Sequence, residues 1–333
     1  MNRCPVLLFL VLWSAGVAAA ADLEIAPFRT VNQSPLVRIH GLPAETSATI
    51  QPVGHTSLSL TQDVANNFVV DGDASEAVRL DGESYRWVLA LRHGFRDGIE
   101  AGAEIPWLTQ GGGFLDGFVE SYHRMIGYSD ERSLLTKDRL AYRYSRDGQR
   151  KLSMTQAGSG IGDISLFAGM RLYDTNSEGH HDRFALRANL KLPTGSSTSL
   201  FGNGGADVAM LLCGSTEFST GYGTVGAFSS AGVLGLTDSH VLRNNSNNVV
   251  GYGTAGIGWS PNSLISFKVQ FNWNTPFYRN SHLNELTESA MMLVSGGSIR
   301  LPGDYLLDIG VSEDVAVATA PDVAIHLGLS KRF

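Results

Sequence analysis

Val323-Ala-Ile-His-Leu-Gly-Leu-Ser-Lys-Arg-Phe333 closes the chain. Val323, Ile325, Leu327, Leu329 and Phe333 share one parity, against Ala324, His326, Gly328, Ser330 and Arg332. A strand has a side-chain period of two, so this pattern predicts a strand with one apolar face and one polar or small face. A soluble sandwich also uses such strands. A terminal Phe333 on a strand of this kind resembles the signal that the barrel-assembly machinery reads in bacterial outer-membrane proteins. Lys331 departs from the pattern, standing on the apolar parity, where its stem can lie along lipid while the ammonium reaches water.

The other end of the chain points to the same compartment. Arg3, the apolar run from Val6 to Trp13 and the small residues Ala18-Ala19-Ala20 predict a secretory signal peptide over residues 1–20. Cys4 precedes the apolar run, so it is not positioned as a lipoprotein cysteine. Once the leader is removed Cys213 is alone, which excludes an intramolecular disulfide or a cysteine metal cluster. The net charge is −7, one more negative without Arg3, which argues against nucleic acid as a partner. Length alone would allow two soluble domains, but no linker or composition break divides the chain. No run after the leader reaches the roughly 20 apolar residues of a spanning helix.

Alternation recurs in segments of about ten residues, the signature of a transmembrane barrel. Twelve strands are predicted, over 56–71, 83–93, 98–107, 161–173, 182–192, 206–213, 222–235, 250–259, 264–274, 288–301, 304–313 and 321–333. The fold class is all-β, an up-and-down antiparallel barrel over residues 55–333. Connections supply an independent check, since barrels alternate short periplasmic turns with longer external loops. Residues 94–97, 260–263 and 302–303 are short, and 174–181 and 214–221 intermediate. Segments 72–82, 108–160, 193–205, 236–249, 275–287 and 314–320 are the longer set. An even strand number puts both termini on the periplasmic side.

The strand faces are sharply divided. Tyr85, Trp87, Leu89 and Leu91 oppose Arg86 and Arg92; Ile265, Phe267, Val269, Phe271 and Trp273 oppose Lys268 and three amides. A charge facing lipid at the bilayer midplane costs roughly 2–4 kcal/mol, so the charged parity is assigned to the lumen. The candidate lumen lining is Arg86, Arg92, Glu100, Glu104, Asp163, Arg171, Arg183, Arg187, Lys191, Asp207, Lys268 and Asp308. These charges either fill and stabilise the interior or select what passes; the pattern suits both.

Two segments are not barrel wall. Residues 21–54 carry Pro27, Pro35, Pro43 and Pro52, which oppose regular structure, among spaced apolar residues such as Ile25, Phe28, Leu36 and Ile39. The segment is either a plug in the barrel mouth or a strap across the periplasmic rim. The connection 108–160 is too long for a plain loop. After Gly111-Gly112-Gly113, residues Phe114, Leu115, Phe118, Val119 and Tyr122 recur at helical spacing, with Glu120, His123 and Arg124 mostly off that face. This candidate gate helix, ending near Gly127, would constrict the lumen, cap the rim or lie in the outer leaflet. Residues 139–150, around Asp147-Gly148, read as a hairpin.

Phe28-Arg-Thr-Val-Asn-Gln-Ser-Pro-Leu36, Gly41-Leu42-Pro43, Gly112-Gly113-Phe114-Leu115-Asp116-Gly117-Phe118 and Leu192-Pro193-Thr194-Gly195 together resemble an uncharacterised proteobacterial group, domain of unknown function 3187. The resemblance implies an outer-membrane barrel of unassigned role and carries over no catalytic residues.

Chemistry is weakly signalled. Outer-membrane phospholipases are twelve-stranded barrels with a His-x-Ser-Asn-Gly motif; here His55-Thr56-Ser57 is followed by Leu58-Ser59. Nucleophile, base and orienter are not jointly visible, so a lipid hydrolase is the lesser alternative. His180-His181 lacks a third ligand at metal spacing, and the Gly-rich stretches 111–113 and 202–205 lack the context of a phosphate cradle. No cofactor is expected. The expected partners are outer-membrane lipids, the barrel-assembly machinery and, for a channel, a small polar or amphipathic solute. A channel or transporter is the leading expectation, and a non-conducting structural or interaction barrel the second.

Overall fold

A computed structural model describes residues 23–113, 139–237, 239–315 and 319–333. The expected signal peptide and the candidate gate helix with Phe114, Phe118, Glu120, Tyr122, His123 and Arg124 lie outside the described residues.

Twelve antiparallel strands form the wall: β1 (Thr56–Gly72), β2 (Glu76–Arg96), β3 (Ile99–Gly111), β7 (Ser165–Ser177), β8 (His180–Lys191), β9 (Asp207–Thr220), β10 (Gly223–Leu236), β11 (Val249–Asn262), β12 (Ile265–Asn274), β13 (Ala290–Leu301), β14 (Tyr305–Asp314) and β15 (Val323–Arg332). Three shorter strands, β4 (Ala141–Arg146), β5 (Gln149–Met154) and β6 (Gly158–Ile161), come from the long connection between β3 and β7. β1 pairs with β2 on one side and β15 on the other, with Leu60 opposite Leu89 and Leu329. Pairing continues through consecutive wall strands, and β3 pairs with both β2 and β7, so the sheet closes on itself. Closure leaves no edge among the twelve wall strands, which is how a barrel satisfies its backbone ladder. No helix among the described residues is long and apolar enough to cross a membrane.

All five connections on one rim are tight. Glu178-Gly179 joins β7 to β8, with φ of 45° and 81°, values suited to the primed turns that match strand twist. Gly221-Tyr222 joins β9 to β10. Both turns are shorter than the intermediate loops expected over 174–181 and 214–221, because the flanking strands run further than their apolar cores suggest. The chain ends lie on this same rim: Phe333 N donates to Thr56 O at 2.7 Å, and Thr56 N to Phe333 O at 3.0 Å. Lys331 sets its ammonium 4.5 Å from the Tyr305 ring centre and 5.2 Å from that of Phe333, a cation–π arrangement at the rim.

The fourth predicted strand is broken. β6 pairs with the Trp107–Gln110 stretch of β3, and β7 with the Ile99–Glu104 stretch. Between them residues 162–164 leave the ladder opposite Pro106, which has no N–H to donate. Gly162 N donates instead to Pro106 O at 2.9 Å, and the irregularity turns Asp163 inward. β4 and β5 form the hairpin expected around Asp147-Gly148, with φ of 52° and 71° in its turn. Together with the prolonged β1 and β2 they stand above the long-loop rim.

The outer surface is apolar. Trp87, Leu89, Leu91, Trp107, Leu166, Phe184, Met210, Trp259, Phe267, Trp273, Ile309 and Leu327 are all exposed. A soluble monomer rarely exposes a contiguous apolar patch beyond a few hundred Å². The buried apolar core sits inside the barrel, where Leu36, Val37 and Ile39 meet Leu200, Val241, Leu242, Phe277, Tyr278 and Leu283 from the long loops.

Candidate functional site in the barrel lumen

Residues 23–54 lie within the barrel, starting near the short-turn rim, reaching the long-loop end at a turn over residues 34–40, and returning. Prolines keep the segment irregular, so its backbone groups seek partners on the wall.

On the way in, Ile25 N donates to Glu217 Oε1 at 2.6 Å, while Arg183 Nη1 holds the other oxygen at 2.8 Å. Phe28 and Gln270 exchange two bonds: Phe28 N to Gln270 Oε1 at 2.8 Å, and Gln270 Nε2 to Phe28 O at 3.3 Å. The Phe28 ring lies under Lys268 Nζ at 4.0 Å, and Lys268 itself donates to Asp308 Oδ1 at 2.9 Å. Arg29 pairs with Glu104. Asn272 Nδ2 donates to Thr30 Oγ1 at 2.9 Å, continuing the polar ladder of β12.

At the long-loop end Tyr278 OH donates to Leu36 O at 2.7 Å. Lys191 Nζ lies 2.6 Å from Asp163 Oδ2 and 3.1 Å from Asp207 Oδ2, and also donates to Asn203. Gly41 N donates to Asp207 Oδ2 at 2.9 Å, fastening the turn to this cluster. A Cβ at position 41 would stand 2.8 Å from Asp207 Cβ, so the approach requires glycine. His40 packs on Phe277 and reaches Asn203 Nδ2 at 3.0 Å; burial beside Lys191 pulls its imidazole down to about 3.

On the return, Ser230 Oγ donates to Glu45 Oε2 at 2.8 Å, and burial pushes the Glu45 carboxyl up to about 7. Next comes a clamp built on Glu100, which has no solvent exposure. Arg92 Nη2 and Arg187 Nη1 each lie 2.5 Å from Glu100 Oε1, and Gln51 N donates to Oε2 at 2.7 Å. The guanidinium of Arg187 also donates to Ser47 O at 2.7 Å and Thr49 O at 2.9 Å. Two buried cations therefore share one carboxylate and cap two backbone carbonyls of the segment, Ser47 O and Thr49 O, while the carboxylate accepts from Gln51 N.

Eleven of the twelve candidate lining residues thus face the interior: Arg86, Arg92, Glu100, Glu104, Asp163, Arg183, Arg187, Lys191, Asp207, Lys268 and Asp308. Arg171 keeps the same parity, opposite buried Ala185, but stands at the short-turn rim, exposed and paired at 2.7 Å with exposed Asp97. The ladder shifts only beyond it, between Arg171 and Tyr173. His180 and His181 sit at the same rim, 2.9 Å from Asp182 and 2.8 Å from Asp174 respectively.

Some lumenal groups escaped the sequence reading. Asp63 accepts from His326, Arg86 and Gln33, with His326 Nδ1 2.7 Å from Asp63 Oδ1. Its strand, β1, has a blurred pattern, although Thr61, Asp63 and Ala65 do share the inward parity. Arg29, Arg38 and Glu45 belong to the irregular segment, where no period assigns a face. Their charge within an otherwise apolar, proline-rich stretch was the available signal.

A closed twelve-stranded barrel, apolar outside, whose polar lumen is occupied by its own N-terminal segment, has the architecture of outer-membrane β-barrels. The chain belongs to the family described as protein of unknown function (DUF3187), whose sequence profile matches residues 4–333. No curated protein matches the chain in sequence. Among solved structures it is similar to the COG4313 outer membrane channel from Pseudomonas putida F1, with 13% identity, a TM-score of 0.54, and coverage of 85% of this chain and 97% of that one. Fainter likenesses include the translocator domain of autotransporter NalP from Neisseria meningitidis, at 11% identity, TM-score 0.38 and coverage of 85% and 90%. The Pseudomonas putida toluene transporter TodX matches at 10% identity, TM-score 0.30 and coverage of 95% and 99%. At 13% identity the likeness to the COG4313 channel concerns the fold alone.

Proposed function

We propose that this protein is an outer-membrane channel for small polar or amphipathic molecules, drawn here in its closed state, with residues 23–54 as the plug. The observation that carries the reading is a polar, charge-lined lumen inside an apolar closed wall, blocked by a segment attached through side chains rather than built into the sheet. An interior meant only to be filled has simpler solutions, since apolar residues pack a small barrel without desolvating ions. The short-turn rim, with the start of β1 and the end of β15, faces the periplasm, and the long loops face outward. The leader over residues 1–20 directs export, and Phe333, on the seam strand, serves the assembly machinery.

Among the described residues, two spaces between plug and wall are small, about 30 Å³ beside Arg187 and about 40 Å³ beside Arg86. Each holds a few waters at most, so passage of a solute requires the plug to shift. Dense attachment of the plug favours one second reading, a non-conducting barrel that presents its loops outside. Planar-bilayer recording separates the two. The intact protein is expected to show rare or small openings, and a variant lacking residues 23–50 frequent, larger ones. Silence of both, with the variant confirmed folded and membrane-inserted, would remove the channel reading.

A further inference from the structure

The plug enters the lumen alongside β12 and keeps step with it. Phe28 meets Gln270, Thr30 meets Asn272, Asn32 meets Asn274 and Leu36 meets Tyr278, each pair 242 positions apart. The two segments therefore run in the same direction, and over residues 28–32 alternate plug residues meet alternate residues of the strand. Arg29, between two of these contacts, turns to Glu104 on β3. The match has a simple cause. Inward side chains of a strand recur every two residues, about 6.6 Å, which is also the two-residue repeat of an extended peptide laid along it. Gln270 engages the main chain itself, accepting from Phe28 N at 2.8 Å and donating to Phe28 O at 3.3 Å. Asn272 Nδ2 donates to the Thr30 hydroxyl at 2.9 Å, and Asn32 Nδ2 lies 3.5 Å from Asn274 Oδ1. The wall holds these amides in place: Gln270 Nε2 donates to Asn272 Oδ1 at 2.7 Å, and Thr254 Oγ1 donates to the same oxygen at 2.8 Å. Towards the Ile265 end of the strand, Lys268 Nζ stands 4.0 Å from the centre of the Phe28 ring.

We infer that the inward amide ladder of β12 is a binding track for extended oligopeptides, which residues 28–32 occupy as a built-in stand-in. One consequence rests on the channel reading, that short peptides are among the solutes. The class follows from what the ladder engages. Amides at two-residue spacing meet every second residue of an extended chain in phase, and the paired acceptor and donor of Gln270 match the N–H and C=O of a single peptide residue. The favoured peptide carries an aromatic ring for Lys268, then small polar side chains two and four residues further on. Because the plug is tethered, its effective concentration at the track is of about millimolar order, so a free peptide competes at similar concentrations.

The full-length protein in detergent and a capped, dye-labelled peptide of sequence Phe-Arg-Thr-Val-Asn test the assignment, with binding read by fluorescence anisotropy. Saturable binding is expected in the wild type. It should be several-fold tighter in Gly94→Val, where the added side chain crowds Pro52 and loosens the plug. Methylating the Phe amide nitrogen of the peptide removes the hydrogen that Gln270 accepts, and should weaken binding to the wild type about tenfold. That comparison needs no variant. In Gln270→Leu the two peptides should bind alike, a coupling that altered stability does not imitate. No saturable binding in either the wild type or Gly94→Val, equal affinity of both peptides for the wild type, or a methylation effect that survives Gln270→Leu would each overturn the assignment. Equal displacement of the labelled peptide by unlabelled peptide and by maltotriose would overturn the class. Peptide binding by a barrel that never conducts would sink the channel reading and leave the track standing; conduction without peptide binding would do the reverse.

Discussion

At the scale of the residue, Glu100 carries the most consequence. Its carboxylate pairs with both Arg92 and Arg187 and accepts from the plug backbone at Gln51. Glu100→Gln keeps the shape and removes the charge, leaving two buried guanidiniums without a counter-ion. Removing one partner of a buried pair costs about 3–5 kcal/mol. A loss of that size is expected in the unfolding free energy of the barrel, read as a lowered denaturant midpoint, together with easier plug release. A midpoint unchanged from wild type would show the pairing to be dispensable. Arg92 and Glu100 were legible as lumenal from period-two parity alone, because that parity is a local property of each strand. The sharing of that carboxylate with Arg187 was not, since β8 reaches β3 only when β7 pairs with β3 across the long connection between them.

At the scale of the element, the plug is the part built to move. Its return limb leaves past Gly94, where an added Cβ would lie 2.2 Å from Pro52 O. Gly94→Val is expected to push the limb off the wall while the β2 ladder survives. Protease cleavage within residues 41–54 from the periplasmic side should then rise several-fold, with the barrel itself resistant. Cleavage at the wild-type rate would place the attachment elsewhere. Docking should also depend on pH through Glu45. Its carboxyl is pushed up to about 7 when docked, against an ordinary value of 4.5. Docked plug therefore prefers the protonated form. Below about pH 4.5 both states hold the proton and docking is unaffected; from 4.5 to 7 docking weakens, and above 7 the loss is complete. Open probability is expected to rise over that interval in the wild type and to stay flat in Glu45→Gln. Equal slopes in the two proteins would exclude Glu45 as the cause.

For the molecule as a whole, the exterior decides the environment. Val269 stands outward at the middle of β12 and is exposed. Val269→Arg is expected to cost about 2–4 kcal/mol in a bilayer, whereas an exposed substitution in a water-soluble protein usually changes stability by no more than about 0.5 kcal/mol. Folding titrations in lipid vesicles read the difference, and a near-zero value would contradict lipid contact on this face.

The sequence by itself determined the wall: twelve strands, their inward and outward faces, the alternation of short and long connections, and the Asp147-Gly148 hairpin. These follow from alternation and turn chemistry, which act over a few residues. What only the tertiary structure decided is how the lumen is occupied. Phe28 finds Gln270 across 242 positions and Gly41 finds Asp207 across 166, in a segment with no period to read. The break at residues 162–164 depends on Pro106 lying opposite, and Arg171 falls at the rim because pairing with β3 sets it beside the short Asp97-Gly98 turn. Even Phe333, whose parity announced the barrel, acquires its role through closure, by bonding to Thr56 at the far end of the sheet. Local periodicity writes the strands; the partners of buried charges are set by which strands the closed ring brings face to face.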